Sequence, residues 1–208
     1  MSNVLFIKAN NRAIEQSVSV KMYHEFLESF KASHPEDQIT ELDLFAENLP
    51  YYDGTAINGM FKAGKGLEAT PEEQAAAANV SKYLEQFLAA DKIVLAFPLW
   101  NMTVPAVLHT YIDYLNQAGK TFKYTPQGVV GLVTGKKVVI LNARGGNYSE
   151  GPMAAAEMAV NFVMGNLRQW GVQDIETLII EGHNQFPDEA EMIVQNGLEL
   201  VKKAAAGF

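Results

Sequence analysis

Three short stretches carry most of the groups in this chain that could hold a ligand. The first is Asn10-Asn11-Arg12-Ala13-Ile14-Glu15-Gln16-Ser17-Val18-Ser19, which leads from an apolar run into an amphipathic segment. Two hydroxyls at a helix N-terminus, with free backbone N–H groups and the positive end of the helix dipole, suit an anion and most naturally a phosphate. Asn10 and Arg12 offer further donors, although a serine at this position can also do no more than cap its own helix. The second stretch is Phe97-Pro98-Leu99-Trp100-Asn101-Met102-Thr103-Val104-Pro105. A large aromatic and an amide stand there between two prolines, where Asn, Asp or Gly alone would build a turn; such a ledge suits a flat ligand. The third is Asn142-Ala143-Arg144-Gly145-Gly146-Asn147-Tyr148. Adjacent glycines can reach positive φ and let a ligand approach the backbone, or simply make a tight strand-to-helix turn. Arg144 could stack, pair with a carboxylate or be solvated.

The elements that must position these groups follow from apolar patterning. Val4-Leu5-Phe6-Ile7, Ile93-Val94-Leu95-Ala96-Phe97, Val138-Val139-Ile140-Leu141 and Leu178-Ile179-Ile180 are apolar without alternation and are expected as fully buried parallel strands. Ile39 to Leu44 alternates and is expected at an edge. Helices are expected at Val18, Met22, Phe26 and Phe30, after Thr70-Pro71, from Val104-Pro105, after Gly151-Pro152 and after Pro187-Asp188. The alternation of strand and helix implies an α/β fold, one parallel sheet with helices on both faces, in a single domain over residues 1–208. Residues 45–69 and 120–128 are longer than usual connections, and the second is expected to form a hairpin. In such a sheet, ligands bind beyond the C-terminal strand ends near the topological switch point, where all three stretches lie. A phosphate cradle, an aromatic-amide wall and a Gly-Gly edge together suit a phosphate tail with a flat heterocyclic head, which is the shape of flavin mononucleotide (FMN).

Composition narrows the classes. The 208 residues carry a formal charge of −8 and no cysteine. Thiol catalysis, CxxC redox chemistry and cysteine-ligated zinc are excluded, and a general nucleic-acid or acidic-membrane surface is disfavoured. No run approaches the roughly 18 apolar residues of a membrane span. The first residues lack a basic leader, so a cytoplasmic protein is expected. Gly59 to Gly66 nearly spells a nucleotide-binding P-loop, but Gly66 replaces the magnesium-ligating hydroxyl and no strand precedes it. Lys62 and Lys65 are therefore expected on a solvated loop. His109 and Asp113 share a helix face without a second histidine, so no metal site is expected. His24 and His34 form no ligand pattern, and His183 could border the pocket. A receiver-type signalling domain would need an acidic acceptor where Phe97-Pro98 stands.

Five pieces in order, SVS at 17–19, FPLWNMTVP at 97–105, AGKTFKYT at 118–125, GLVTGKK at 131–137 and ARGG at 143–146, make the chain similar to the FMN-dependent NADH-azoreductases. That family overlaps with the NAD(P)H:quinone oxidoreductases of flavodoxin-like fold. The resemblance implies a five-stranded parallel sheet in the order 2-1-3-4-5. It implies that Ser17, Val18 and Ser19, with Asn10 nearby, hold the FMN phosphate. Leu99, Trp100, Asn101 and Met102 would lie along the isoalloxazine, with Ala143, Arg144, Gly145 and Gly146 closing its pyrimidine side. Family members often have Tyr at position 100 and Ser at 143, so any role of those hydroxyls is absent here while backbone contacts remain. The family is homodimeric with active sites at the interface, which would bring Phe122 and Tyr124 to the partner's flavin. The implied reaction is ping-pong: NADH or NADPH reduces the flavin, and an azo compound or quinone then takes the electrons. No catalytic side chain is implied, because the cofactor carries the hard step. A flavodoxin-like electron carrier serving protein partners is the alternative; the segments 45–69 and 118–128 favour an enzyme, since they can wall a substrate pocket.

Overall fold

An apolar run without alternation becomes a strand when helices cover both faces of its sheet. In the computed structural model, which describes residues 1–208, this holds for β1 (Asn3–Lys8), β3 (Lys92–Pro98) and β6 (Lys137–Arg144). Val4, Phe6, Val94, Ala96, Val139 and Leu141 face one core, packed under α1 (Val18–Ser33) and α6 (Ala190–Gly207). The alternate residues Leu5, Ile7, Ile93, Leu95, Phe97, Val138 and Ile140 face the other core. That core lies under α3 (Pro71–Ala89), α4 (Ala106–Leu115) and α5 (Ala159–Trp170). With β2 (Gln38–Asp43) and β7 (Asp174–Glu181), the sheet runs β2-β1-β3-β6-β7, parallel throughout. Counted within the sheet this is the expected order 2-1-3-4-5. The winding reverses between β1 and β3, so the C-terminal ends of β1, β3 and β6 surround the switch point. A separate antiparallel hairpin, β4 (Phe122–Thr125) with β5 (Gly128–Gly131), occupies the second long segment as expected.

Several expectations are corrected. Leu178-Ile179-Ile180 belongs to an edge strand rather than a fully buried one, and Ile179 is 36% exposed. Only its inner neighbour Ile180 is covered, by Gly197 of α6, where a Cβ would collide with the isoleucine side chain. Residues 45–69 contain a helix, α2 (Gly54–Lys65), capped by Asp53, whose Oδ1 accepts from Ala56 N at 3.0 Å. Its glycines lower helix propensity and its Ile57 and Phe61 face outward, so neither usual signal was strong. Gly59 explains the near-P-loop: a Cβ there would run into the Glu73 carbonyl oxygen, so the glycine allows close packing of α2 on α3. Lys62 is on this helix and pairs with Glu73 at 2.6 Å, rather than standing on a solvated loop. Finally, Pro152 and Pro187 each open a short 3₁₀ turn, and the α-helices begin at Ala159 and Ala190.

Candidate cofactor site

Ser17 is the N-cap of α1, its Oγ accepting from Val20 N at 3.4 Å, so ordinary capping is present. It is not the whole arrangement. The buried Asn10 donates from Nδ2 to Ser17 Oγ at 2.8 Å and to Ser19 Oγ at 2.9 Å, and the hydroxyls lie 3.3 Å apart. Asn10 Oδ1 is in turn held by Arg12 N at 3.0 Å. The two hydroxyl hydrogens can find at most one acceptor between them, each other's oxygen. At least one is left to donate into the cleft, beside the open N–H groups of the first helical turn. Asn10 thus orients both serines.

Beyond β3 the chain makes a two-residue reversal. Trp100 N donates to Thr103 O at 3.0 Å and Thr103 N to Trp100 O at 3.1 Å, and between them Asn101 and Met102 take φ of 50° and 69°. Asparagine tolerates that region; methionine at positive φ costs about 1–2 kcal/mol. Strain of this kind collects where a backbone must present itself to a ligand. The N–H groups of Asn101 and Met102 have no acceptor in the protein. The turn is fixed from outside by Leu99 N to Ala143 O and Met158 N to Met102 O, both at 2.9 Å, while Phe45 meets the Trp100 ring edge-on at 6.2 Å. Met102→Gly should therefore raise stability by about 1 kcal/mol in urea denaturation, and Met102→Ile should lower it.

The third stretch differs most from expectation. Strand β6 continues through Arg144, so Asn142, Ala143 and Arg144 are buried strand residues. Asn142 Nδ2 ties β6 to β3 through Phe97 O at 3.0 Å. The Arg144 side chain is 3% exposed and pairs with two carboxylates, Nε lying 2.9 Å from Glu181 Oε2 and Nη1 3.5 Å from Glu157 Oε1. Its Nη2 donates to Ser149 Oγ at 3.0 Å. Glu157 accepts from Ala159, Val160 and Asn161 N–H and so caps α5. Glu181 accepts from Tyr148 and Ser149 N–H at 2.9 and 3.1 Å. Burial works against ionisation of Glu181, but Ser149, these amides and the Arg144 charge outweigh it and hold the carboxyl below its usual range. Arg144 is thus the hub fixing the glycine edge to α5 and β7. Glu157 and Glu181 were missed by sequence reasoning; the signal was a glutamate just ahead of α5 and another at the end of β7.

Neither Gly145 nor Gly146 has positive φ, which corrects the expectation for this pair. What matters is space: a Cβ on Gly145 would collide with the Asn184 amide and sit 3.0 Å from Asn184 Cβ, and one on Gly146 would lie 3.2 Å from the Tyr148 ring. Gly145 O accepts from Asn184 N and Gln185 N at 2.9 and 3.1 Å, whereas both glycine N–H groups lack an acceptor.

These three stretches, with the loop after β7, enclose a cleft in two adjoining parts. One part, about 440 Å³, is bounded by Asn10, Ser17 to Ser19, Leu99, Trp100, Ala143 to Gly145, His183 and Asn184. The other, about 490 Å³, is bounded by Asn101, Met102, Gly146, Tyr148 and Gln185, and shares Leu99, Gly145 and Asn184 with the first. Every residue expected to hold the cofactor borders one part or the other, and His183 does border the pocket. Phe122 and Tyr124 do not line it. Phe122 is 6% exposed and packed in the core of its own chain, while Tyr124 is 75% exposed. His109 and Asp113 form an exposed pair at 3.3 Å, with the histidine stacked on Phe162, and no cluster of metal-ligating side chains exists.

With this geometry in place, the relatives are informative. A family model described as flavodoxin-like fold matches residues 2–204. An FMN-dependent NADH:quinone oxidoreductase from Bacillus cereus is 61% identical over 208 residues, the full length of both chains. The crystal structure of an azoreductase from Bacillus anthracis str. Sterne is 60% identical, covers both chains fully and superposes with a TM-score of 0.98. An FMN-dependent NADH-azoreductase from Bacillus anthracis str. Ames Ancestor, solved in complex with FMN, is 30% identical, covers 99% of this chain and 98% of its own, and has a TM-score of 0.90. A cleft at the β1/β3 switch point and full-length similarity to these proteins agree: the chain belongs to the flavodoxin-like family of FMN-dependent NADH:quinone oxidoreductases and azoreductases.

Proposed function

We propose that this chain binds FMN in the two-part cleft and uses it to pass electrons from NADH or NADPH to quinones and azo compounds, cleaving the latter to aromatic amines. The observation that carries the reading is the division of donors. Serine hydroxyls and a helix N-terminus serve one end, where a phosphate fits. Four unpaired backbone N–H groups, from Asn101, Met102, Gly145 and Gly146, serve the other, beside the Leu99-Trp100 ledge. The names of the relatives support the same cofactor and donor.

When bound, FMN supplies the hydride and electron chemistry. The chain's own part is binding and electrostatics. Asn10 and the two serines fix the phosphate end. The strained turn and the glycine edge present N–H donors fixed in place before any ligand arrives, and such donors favour negative charge on the polar edge lying against them. Arg144 keeps the glycine edge and α5 in register, which maintains the width of the cleft. The reading takes residues 1–208 as one FMN-binding domain, since both cores share a single sheet.

Two companion assignments belong to this proposal. The chain works as a homodimer, with the exposed Tyr124, Val129 and Val130 of the hairpin supplying apolar surface for a second copy. It works in the cytoplasm, in keeping with the absence of cysteine; no helix is long and apolar enough to cross a membrane. Light scattering should then give twice the 22.9 kDa chain mass, and Tyr124→Ala should raise KM for the acceptor while leaving FMN affinity unchanged. For the function itself, steady-state rates with NADH and a quinone varied together should give parallel double-reciprocal lines, as a ping-pong enzyme requires. An electron carrier would show no turnover without a protein partner.

A further inference from the structure

The phosphate half of the cleft has more around it than Ser17 and Ser19. Lys21, one turn into α1, borders it, as does His183 from the loop after β7. Lys21 makes no ion pair with any carboxylate. His183 is half-buried, and its Nδ1 is shut away from solvent without a partner. A buried N–H without an acceptor is more costly than a buried lone pair, so the proton of the neutral ring belongs on Nε2. Burial and the neighbouring Lys21 charge both push His183 below its ordinary pKa, which favours the neutral ring. The loop that carries it is rigidly set: Asn184 and Gln185 N–H bond to Gly145 O, Gly182 N donates to Arg144 O at 3.2 Å, and Phe186 N donates to Gly182 O at 2.9 Å.

We propose, building on the FMN reading above, that Lys21 and His183 complete the phosphate site. Lys21 supplies a point charge and His183 Nε2 a hydrogen bond, in addition to the serine hydroxyls. Charge balance gives a reason for the added groups. One helix N-terminus neutralises about half a charge, while a phosphate monoester carries between one and two at neutral pH. An unpaired lysine beside it supplies the remainder. A neutral donor beside Lys21 adds direction without adding charge repulsion against it.

The test compares FMN with riboflavin, which lacks only the phosphate, by flavin fluorescence quenching on protein freed of cofactor. Wild type should prefer FMN. Lys21→Gln and His183→Ala should each weaken FMN by about tenfold or more while changing riboflavin by less than about twofold. His183→Gln, whose amide nitrogen can reach the place of Nε2, should recover most of the FMN affinity, and His183→Asn should not. Equal losses for both ligands, or no loss for either, would overturn the proposal by reducing the two residues to structural support. Rescue by Asn instead of Gln would overturn the Nε2 assignment. A wild-type protein that binds both ligands equally would refute the phosphate cradle itself, and the proposal with it.

Discussion

The Ser17→Ala/Ser19→Ala double variant is expected to lose about 3 kcal/mol or more of FMN binding, on the order of a hundredfold, since two hydrogen bonds to a charged group disappear together. Two further effects accompany it. Loss of the Ser17 cap costs α1 about 1 kcal/mol, and Asn10 Nδ2 is left buried without its two acceptors. Both act on the fold and burden FMN and riboflavin alike. The diagnostic quantity is therefore the ratio of the two affinities in the same protein, measured by fluorescence titration. The preference for FMN should collapse in the alanine variant and survive in Ser17→Thr/Ser19→Thr, which keeps both hydroxyls. A preference unchanged by the alanines would remove the phosphate from this end of the cleft.

Arg144→Leu carries the largest expected effect on stability. Removing one member of a buried ion-pair cluster strands the others, at about 3–5 kcal/mol. Glu157 is nearly as buried as Arg144, whereas the Glu181 side chain retains 20% exposure, so the lower part of that range is expected in urea denaturation. Arg144→Lys should recover only part, because one ammonium cannot span Glu157, Glu181 and Ser149 as the guanidinium does. The acid dependence gives an independent check. Glu181 has a depressed carboxyl pKa in the folded protein. Its contribution is full above the unfolded value of about 4.3 and is lost as pH falls through the lower folded value. Arg144 is one cause of that depression, so the leucine variant should lose less stability on acidification than wild type. FMN should also dissociate readily from it, since the glycine edge and the α5 cap share this hub.

What the sequence disclosed follows from where constraint is concentrated. Strands β1, β3 and β6 were legible because both faces of each are buried, which leaves no room for polar alternation. Strand β7 was misjudged because its Leu-Ile-Ile core looks the same whether one face or two is covered. Helix α2 was hidden because its apolar Ile57 and Phe61 face outward and Gly59 serves helix contact; such a helix has neither a clean stripe nor high propensity. At the site, the three stretches bordering the cleft stood out through residue types that are unnecessary for turns alone. The pairing of Arg144 with Glu157 and Glu181 could not be seen, since it joins residues 13 and 37 positions apart across two strands and a loop. The reason for Gly145 was likewise tertiary: the obstacle to a side chain is Asn184, so Gly145→Val would act by displacing that wall.

The decisive property is reduction, by a pyridine nucleotide, of a flavin held in this cleft. It is tested most directly by mixing the FMN-loaded protein with NADH, and separately with NADPH, under anaerobic conditions while following the oxidised-flavin absorbance. The absorbance should be lost rapidly with at least one of the two donors and return when a quinone or an azo dye is added. A bound flavin that stays oxidised in excess NADH and NADPH would contradict this reading and leave the chain as an electron carrier.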